Sequence, residues 1–131
     1  MSPLRIERTA NTPEIVLLPE GTLVLRGECY PENPLPLFGQ LQASLERCLA
    51  QPGLRRLDAT IQLGYVNSAS TKGLRRLLHR LDRALEQGLE VTLTWEHEES
   101  DDTMADLGRD LAEDLAFLEP RVRTYRVRAA S

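Results

Sequence analysis

Ser68, Ser70 and Thr71 place three hydroxyls within four consecutive residues, with Asn67 before them and Lys72 after. Hydroxyls in that pattern can accept a phosphoryl group, hold an anion or cap a helix. The surrounding stretch, Gly64 to Gly73, joins the most strand-like segment of the chain to its longest helical pattern. A strand entering a helix through a short polar turn presents backbone N–H groups at the helix N-terminus, where a phosphate or another anion is favourably placed. Ordinary capping is the competing role for Asn67, Ser68 and Ser70, because Asn and Ser satisfy unpaired helix N–H groups.

Two other stretches carry candidate chemistry. Tyr30 and Glu32 lie in Cys29-Tyr30-Pro31-Glu32-Asn33-Pro34, where two prolines restrict the backbone, so a fixed loop could display them for binding or simply pack them. The acidic connection Glu96-His97-Glu98-Glu99-Ser100-Asp101-Asp102 suits a basic partner or serves solubility. No metal site is assigned to it, since hard cations need convergent oxygens and His97 belongs to no recognised ligand framework. A small hydrolase using a hydroxyl and one of the two histidines is the enzymatic alternative. Neither His79 nor His97 stands in a recognisable pattern of nucleophile, base and orienting group.

The elements that must position these residues follow from periodicity. Leu57, Ala59, Ile61 and Leu63 alternate with polar residues and predict a strand with one apolar face. Leu74, Leu77, Leu78, Leu81 and Leu85 recur at helical spacing, with Arg75, Arg76, Arg80 and Arg83 on or beside the outer faces. Those arginines solvate the helix, and a subset could receive an acidic partner. Gly88 ends that helix before Val91, Leu93 and Trp95 resume strand alternation.

Upstream, Leu4 to Ile6 reads as a short strand or arm. Ile15 to Leu18 and Thr22 to Gly27 form an antiparallel hairpin through Pro19-Glu20-Gly21. Asn33 caps a helix with Pro34 in its first turn and Phe38, Leu41, Leu45, Cys48 and Leu49 on its buried face. Downstream, Asp101 or Asp102 caps a helix packed through Met104, Leu107, Leu111 and Leu115. Arg121 to Arg128 is expected to be an edge strand with Tyr125 and Val127 facing inward, and Ala129 to Ser131 to fray.

A chain of 131 residues, 41% of them hydrophobic, suits one compact α/β domain over residues 1–131. The net charge of −4 argues against a nucleic-acid partner. Cys29 and Cys48 define neither a disulfide framework nor metal-ligand spacing, which points to reduced thiols and a cytoplasmic setting. No apolar run has the length of a membrane helix and no signal peptide is evident, so no membrane insertion is expected.

Ile6, Asn11-Thr12-Pro13-Glu14-Ile15, Gly27-Glu28-Cys29-Tyr30-Pro31-Glu32-Asn33 and Tyr65-Val66-Asn67-Ser68-Ala69-Ser70-Thr71-Lys72 stand in this order along the chain, followed by Trp95-Glu96-His97 and Asp102-Thr103-Met104-Ala105-Asp106-Leu107-Gly108. Through these segments the chain resembles, over about residues 5 to 117, the SiaC family of bacterial regulatory phosphoproteins, whose fold is similar to STAS domains and anti-sigma-factor antagonists. The resemblance implies a STAS-like mixed β-sheet covered by about three helices.

The resemblance also implies a non-enzymatic partner switch without a cofactor, acting in cyclic di-GMP signalling and biofilm regulation. A dedicated Ser/Thr kinase would phosphorylate the protein and a PP2C-type phosphatase would reverse this. The unmodified form would bind and activate a diguanylate cyclase. Alignment with the family's phosphoacceptor selects Ser68, where serine replaces the family's threonine and keeps the hydroxyl, with Ser70 and Thr71 as alternatives. Tyr30, Glu32, Asn67 and Lys72 become candidates for partner binding. The same fold likeness also admits an anti-sigma-factor antagonist.

Overall fold

The alternating segments pair into one mixed six-stranded sheet in sequential order. The computed structural model describes residues 1–127. Its strands are β1 (Leu4–Ile6), β2 (Glu14–Leu18), β3 (Thr22–Cys29), β4 (Arg56–Val66), β5 (Glu90–Glu98) and β6 (Arg121–Tyr125). Three helices connect them: α1 (Leu35–Leu49), α2 (Ser68–Glu86) and α3 (Asp102–Glu113). The pairs β1·β2 and β2·β3 are antiparallel, whereas β3 to β6 pair in parallel.

The hairpin closes where Gly21 N–H donates to the Leu18 carbonyl at 3.0 Å. Gly21 has φ +107°, and a Cβ there would lie 2.0 Å from the Arg56 carbonyl oxygen, so only glycine fits this turn. Parallel neighbours then require crossovers, and right-handed crossovers between sequential strands put α1, α2 and α3 on one face of the sheet.

Burial follows that arrangement. Leu57, Ala59, Ile61 and Leu63 are buried, while Asp58, Thr60 and Gln62 stay half-exposed on the uncovered face. Register aligns Ile15 with Leu25, Leu25 with Ile61 and Ile61 with Trp95, making an apolar row beneath the helices. Leu41 and Leu45 of α1, Leu74, Leu77 and Leu81 of α2, and Met104 and Leu111 of α3 close onto it. Truncating such a side chain, for example Leu77→Ala, costs about 2–5 kcal/mol. Cys29 and Cys48 are free thiols buried in this core, and no helix among the described residues is long and apolar enough to cross a membrane.

Several local expectations change. The polar turn between strand and helix shrinks to Asn67, because β4 continues through Val66 and α2 begins at Ser68. Pro34 occupies the N-cap of α1, while Asn33 Oδ1 still accepts the Leu35 N–H at 3.2 Å. Glu96, His97 and Glu98 are part of β5, where pairing with β6 extends the strand. Leu115 lies beyond α3 and is only partly buried. Val127 falls past the end of β6, outside the strand pairing that was expected to hold it, and is 70% exposed, while Tyr125, the last residue of β6, is half-buried. Arg128 and the segment Ala129 to Ser131 lie outside the described residues.

Candidate functional site

Asn67 is the residue around which the site is built. Its backbone N–H donates to the Cys29 carbonyl at 3.1 Å, continuing the β3·β4 contact past the register pair Cys29 and Val66. Its side-chain Oδ1 accepts the Ser70 N–H at 3.0 Å, capping α2. Its Nδ2 donates to the Pro31 carbonyl at 3.0 Å, fastening the loop that carries Tyr30 and Glu32 to the start of α2.

That cap sorts the three hydroxyls by rotation around the helix. Ser68 is the first residue of α2 and is exposed. Ser70 is fully buried, and its Oγ has no hydrogen-bond partner. Thr71 is half-buried and donates its hydroxyl back to the Asn67 carbonyl at 3.1 Å. Burial pushes the Cys29 thiol up. Ser68 therefore stands at the positive end of a helix whose first turn contains no acidic residue.

The neighbouring loop adds an aromatic surface. Tyr30 and Tyr65 meet edge-to-face at 5.4 Å between centroids and remain 40% and 54% exposed. Tyr65 escapes the sequence reading because its parity matches Leu63, which is buried. It stands at the end of β4, beyond the cover of the helices. The detectable signal is an aromatic residue two positions before the Asn67 helix cap.

Glu32 and Lys72 are both exposed and line one open groove of about 620 Å3 between α1 and α2, with Leu35, Phe38, Ala69 and Gly73. Lys72 lies four residues after Ser68, hence on the same helix face. Gly73 is required by close approach: a Cβ there would sit 2.5 Å from the Phe38 ring.

The acidic candidates are largely engaged elsewhere. Glu98 accepts the Ser100 N–H at 2.8 Å and its hydroxyl, and these bonds hold the carboxyl below its usual range. Glu99 pairs with Arg126 at 2.8 Å, Asp101 Oδ1 caps α3 through the Met104 N–H at 3.1 Å, and Asp102 occupies the first turn of α3. His97 is buried, with Nδ1 2.8 Å from the Glu98 carbonyl, whereas His79 is exposed on α2. Among the described residues, no group of three or more His, Cys, Asp and Glu side chains could hold a metal ion.

Known proteins share this fold. An uncharacterized protein of Pseudomonas aeruginosa (strain UCBPP-PA14) is 36% identical over 118 residues, covering 89% of this chain and 93% of its own length. The crystal structure of apo-SiaC from Pseudomonas aeruginosa superposes with a TM-score of 0.85 at 34% identity, over 95% of this chain and all of that one. SiaC in its complex with the diguanylate cyclase SiaD, which it activates, superposes at 0.83 with 34% identity, over 92% of this chain and 99% of that one. The family model for SiaC family regulatory phosphoproteins matches residues 6–125, and the chain belongs to that family.

Proposed function

We propose that this protein is a non-enzymatic partner switch whose unmodified form binds and activates a diguanylate cyclase, promoting cyclic di-GMP synthesis in the bacterial cytoplasm. A cognate Ser/Thr kinase phosphorylates Ser68 and ends the interaction, and a PP2C-type phosphatase restores it. The observation that carries this reading is the likeness, over 92% of the chain, to SiaC in complex with its cyclase, joined to the exposure of Ser68 beside the Asn67 cap.

The physical basis is asymmetric. A phosphate on Ser68 adds roughly 1.5 to 2 negative charges and three acceptor oxygens. Within the chain it meets free N–H groups at the start of α2 and the nearby Lys72, so the fold tolerates it. At a docked surface the same group must be desolvated and is repelled by partner carboxylates, so the partner leaves. Tyr30 and Glu32 contribute partner contacts, Asn67 holds their loop in place, and Lys72 steers the modifying enzymes.

Reconstitution with cyclase, kinase and ATP tests the cycle. The wild-type chain is expected to lose cyclase stimulation as mass spectrometry shows phosphate at Ser68. Ser68→Ala is expected to keep stimulating, and phosphatase to restore the wild type. Stimulation that disappears equally in Ser68→Ala, with phosphate at Ser70 or Thr71, would contradict the assignment.

A further inference from the structure

Asn11-Thr12-Pro13-Glu14-Ile15 is a segment of the resemblance to which the switch gives no task. It leads into β2 from the connection after β1, and that connection is built on one exposed hydroxyl. Thr9 Oγ1 accepts the Thr12 N–H at 3.0 Å and donates to Asn11 Oδ1 at 3.1 Å. The Thr9 N–H donates to the Thr12 carbonyl at 2.9 Å and closes the turn. A threonine side chain used in this way supplies locally the hydrogen bonds that a strand ladder would otherwise provide.

Closing the β1·β2 hairpin is one task of this turn, but its reach is longer. The Asn11 carbonyl, which lies between the two threonines, accepts the Tyr30 N–H at 2.8 Å, beyond the last β2·β3 register pair, Glu14 with Arg26. Arg8 lies against the same end of β3: Gly27 has φ +129°, and a Cβ there would sit 3.1 Å from the Arg8 guanidinium. Three successive residues after the β3 bulge are thereby fixed from two sides. Asn67 holds the Cys29 carbonyl through its N–H at 3.1 Å and the Pro31 carbonyl through Nδ2 at 3.0 Å, and Asn11 holds the Tyr30 amide between them. That amide belongs to the residue whose ring stands 40% exposed against Tyr65. Fixing it limits the directions the ring can take, so a partner meets the ring in one place and at a smaller loss of entropy.

We propose that Thr9 is a positioning residue for partner binding: its hydroxyl builds the turn whose Asn11 carbonyl holds Tyr30 in its binding orientation. The inference rests on the partner role given to Tyr30 above and adds a residue outside the switch helix. Thr9 acts through Tyr30 and not by contact with the partner.

Thr9→Val removes the hydroxyl and keeps the branched shape, whereas Thr9→Ser keeps the hydroxyl. Thr9 is exposed, so both variants are expected to fold, as checked by circular dichroism. Amide hydrogen exchange followed by NMR is expected to quicken at Tyr30 by about tenfold in Thr9→Val and to stay near wild type in Thr9→Ser. Calorimetry with the organism's own purified diguanylate cyclase is expected to show an affinity about threefold lower or more in Thr9→Val, regained in Thr9→Ser. In a Tyr30→Ala background the loss from Thr9→Val is expected to vanish, which a merely structural role would not produce. Wild-type exchange at Tyr30 or wild-type affinity in Thr9→Val, or an affinity loss undiminished in the Tyr30→Ala background, would overturn the positioning role and leave the cyclase reading standing. A wild-type chain that does not bind the cyclase would overturn the cyclase reading, and the exchange rates would still decide whether Thr9 holds Tyr30.

Discussion

Asn67, the cap of α2, and Asp82, within α2, both offer side-chain oxygens to backbone N–H groups, yet they anchor regions of different kinds. Asn67 accepts one N–H, from Ser70, and spends its remaining polarity on Pro31. The loop it holds displays Tyr30 and Glu32, and the hydroxyl beside it, Ser68, stays in water. Asp82 is buried and accepts three N–H groups, from Ala116 at 3.0 Å, Phe117 at 2.8 Å and Leu118 at 2.7 Å. Its oxygens close the segment after α3 onto the core through Leu118, which is buried. One anchor leaves side chains exposed where the proposed partner would dock, and the other consumes polar groups to complete the fold.

The largest expected effect is on the structural anchor. Asp82→Ala leaves three amides without an acceptor and should lower stability by about 3 kcal/mol, read by chemical denaturation, without a matching loss of cyclase affinity in the folded protein. A loss confined to cyclase affinity would erase the distinction between the two anchors.

The same carboxylate has a signature in pH. Burial pushes the Asp82 carboxyl up, but the amides of Ala116, Leu118 and Phe117, aided by the charge of His79, outweigh burial and leave it below its ordinary value of 3.8. A depressed carboxylate stabilises the fold fully above its unfolded value, and that contribution is lost as the pH falls through the folded one. The stability gap between wild type and Asp82→Asn should therefore be widest at neutral pH and narrow in acid. A constant gap would show that the charge is not what the amides recognise.

Asn67 is expected to behave differently. Asn67→Ala removes a cap worth about 1 kcal/mol and also frees the Pro31 carbonyl, so cyclase affinity should fall with stability. Asn67→Asp sharpens the contrast, because it can still accept the Ser70 N–H but cannot donate to Pro31. It should recover most of the stability and little of the affinity. Full recovery of both would mean that the loop needs no fastening.

The smallest effect on stability belongs to Tyr65→Ala. The residue is exposed, so stability should change by about 0.5 kcal/mol or less, whereas a contact role predicts a drop in cyclase affinity of about fivefold or more. Unchanged affinity would remove the Tyr30 and Tyr65 pair from the interface.

Legibility in the sequence followed the range of the interactions. The alternation from Leu57 to Leu63 and the leucine spacing of α2 are local, and both elements formed over those residues, with β4 running on to Val66 and α2 starting already at Ser68. The hairpin was equally readable, because Pro19-Glu20-Gly21 marks its own turn. Strand order was not, since the parallel pairing of β4 with β3 and β5, and of β5 with β6, depends on crossovers rather than on any one segment. The Asp82 anchor was hidden for the same reason: its partners lie 34 to 36 residues away. At the site, the hydroxyl cluster and its cap were visible as residue types. Their division into exposed Ser68, buried Ser70 and back-bonded Thr71 emerged only once the helix start was placed after Asn67.

The most direct measurement compares unmodified and Ser68-phosphorylated protein, matched for folding and verified by site-resolved mass spectrometry, in cyclase binding and cyclic di-GMP synthesis. The switch predicts binding and stimulation by the unmodified protein and loss of both on phosphorylation. Equal affinity and equal stimulation by the two forms would contradict it.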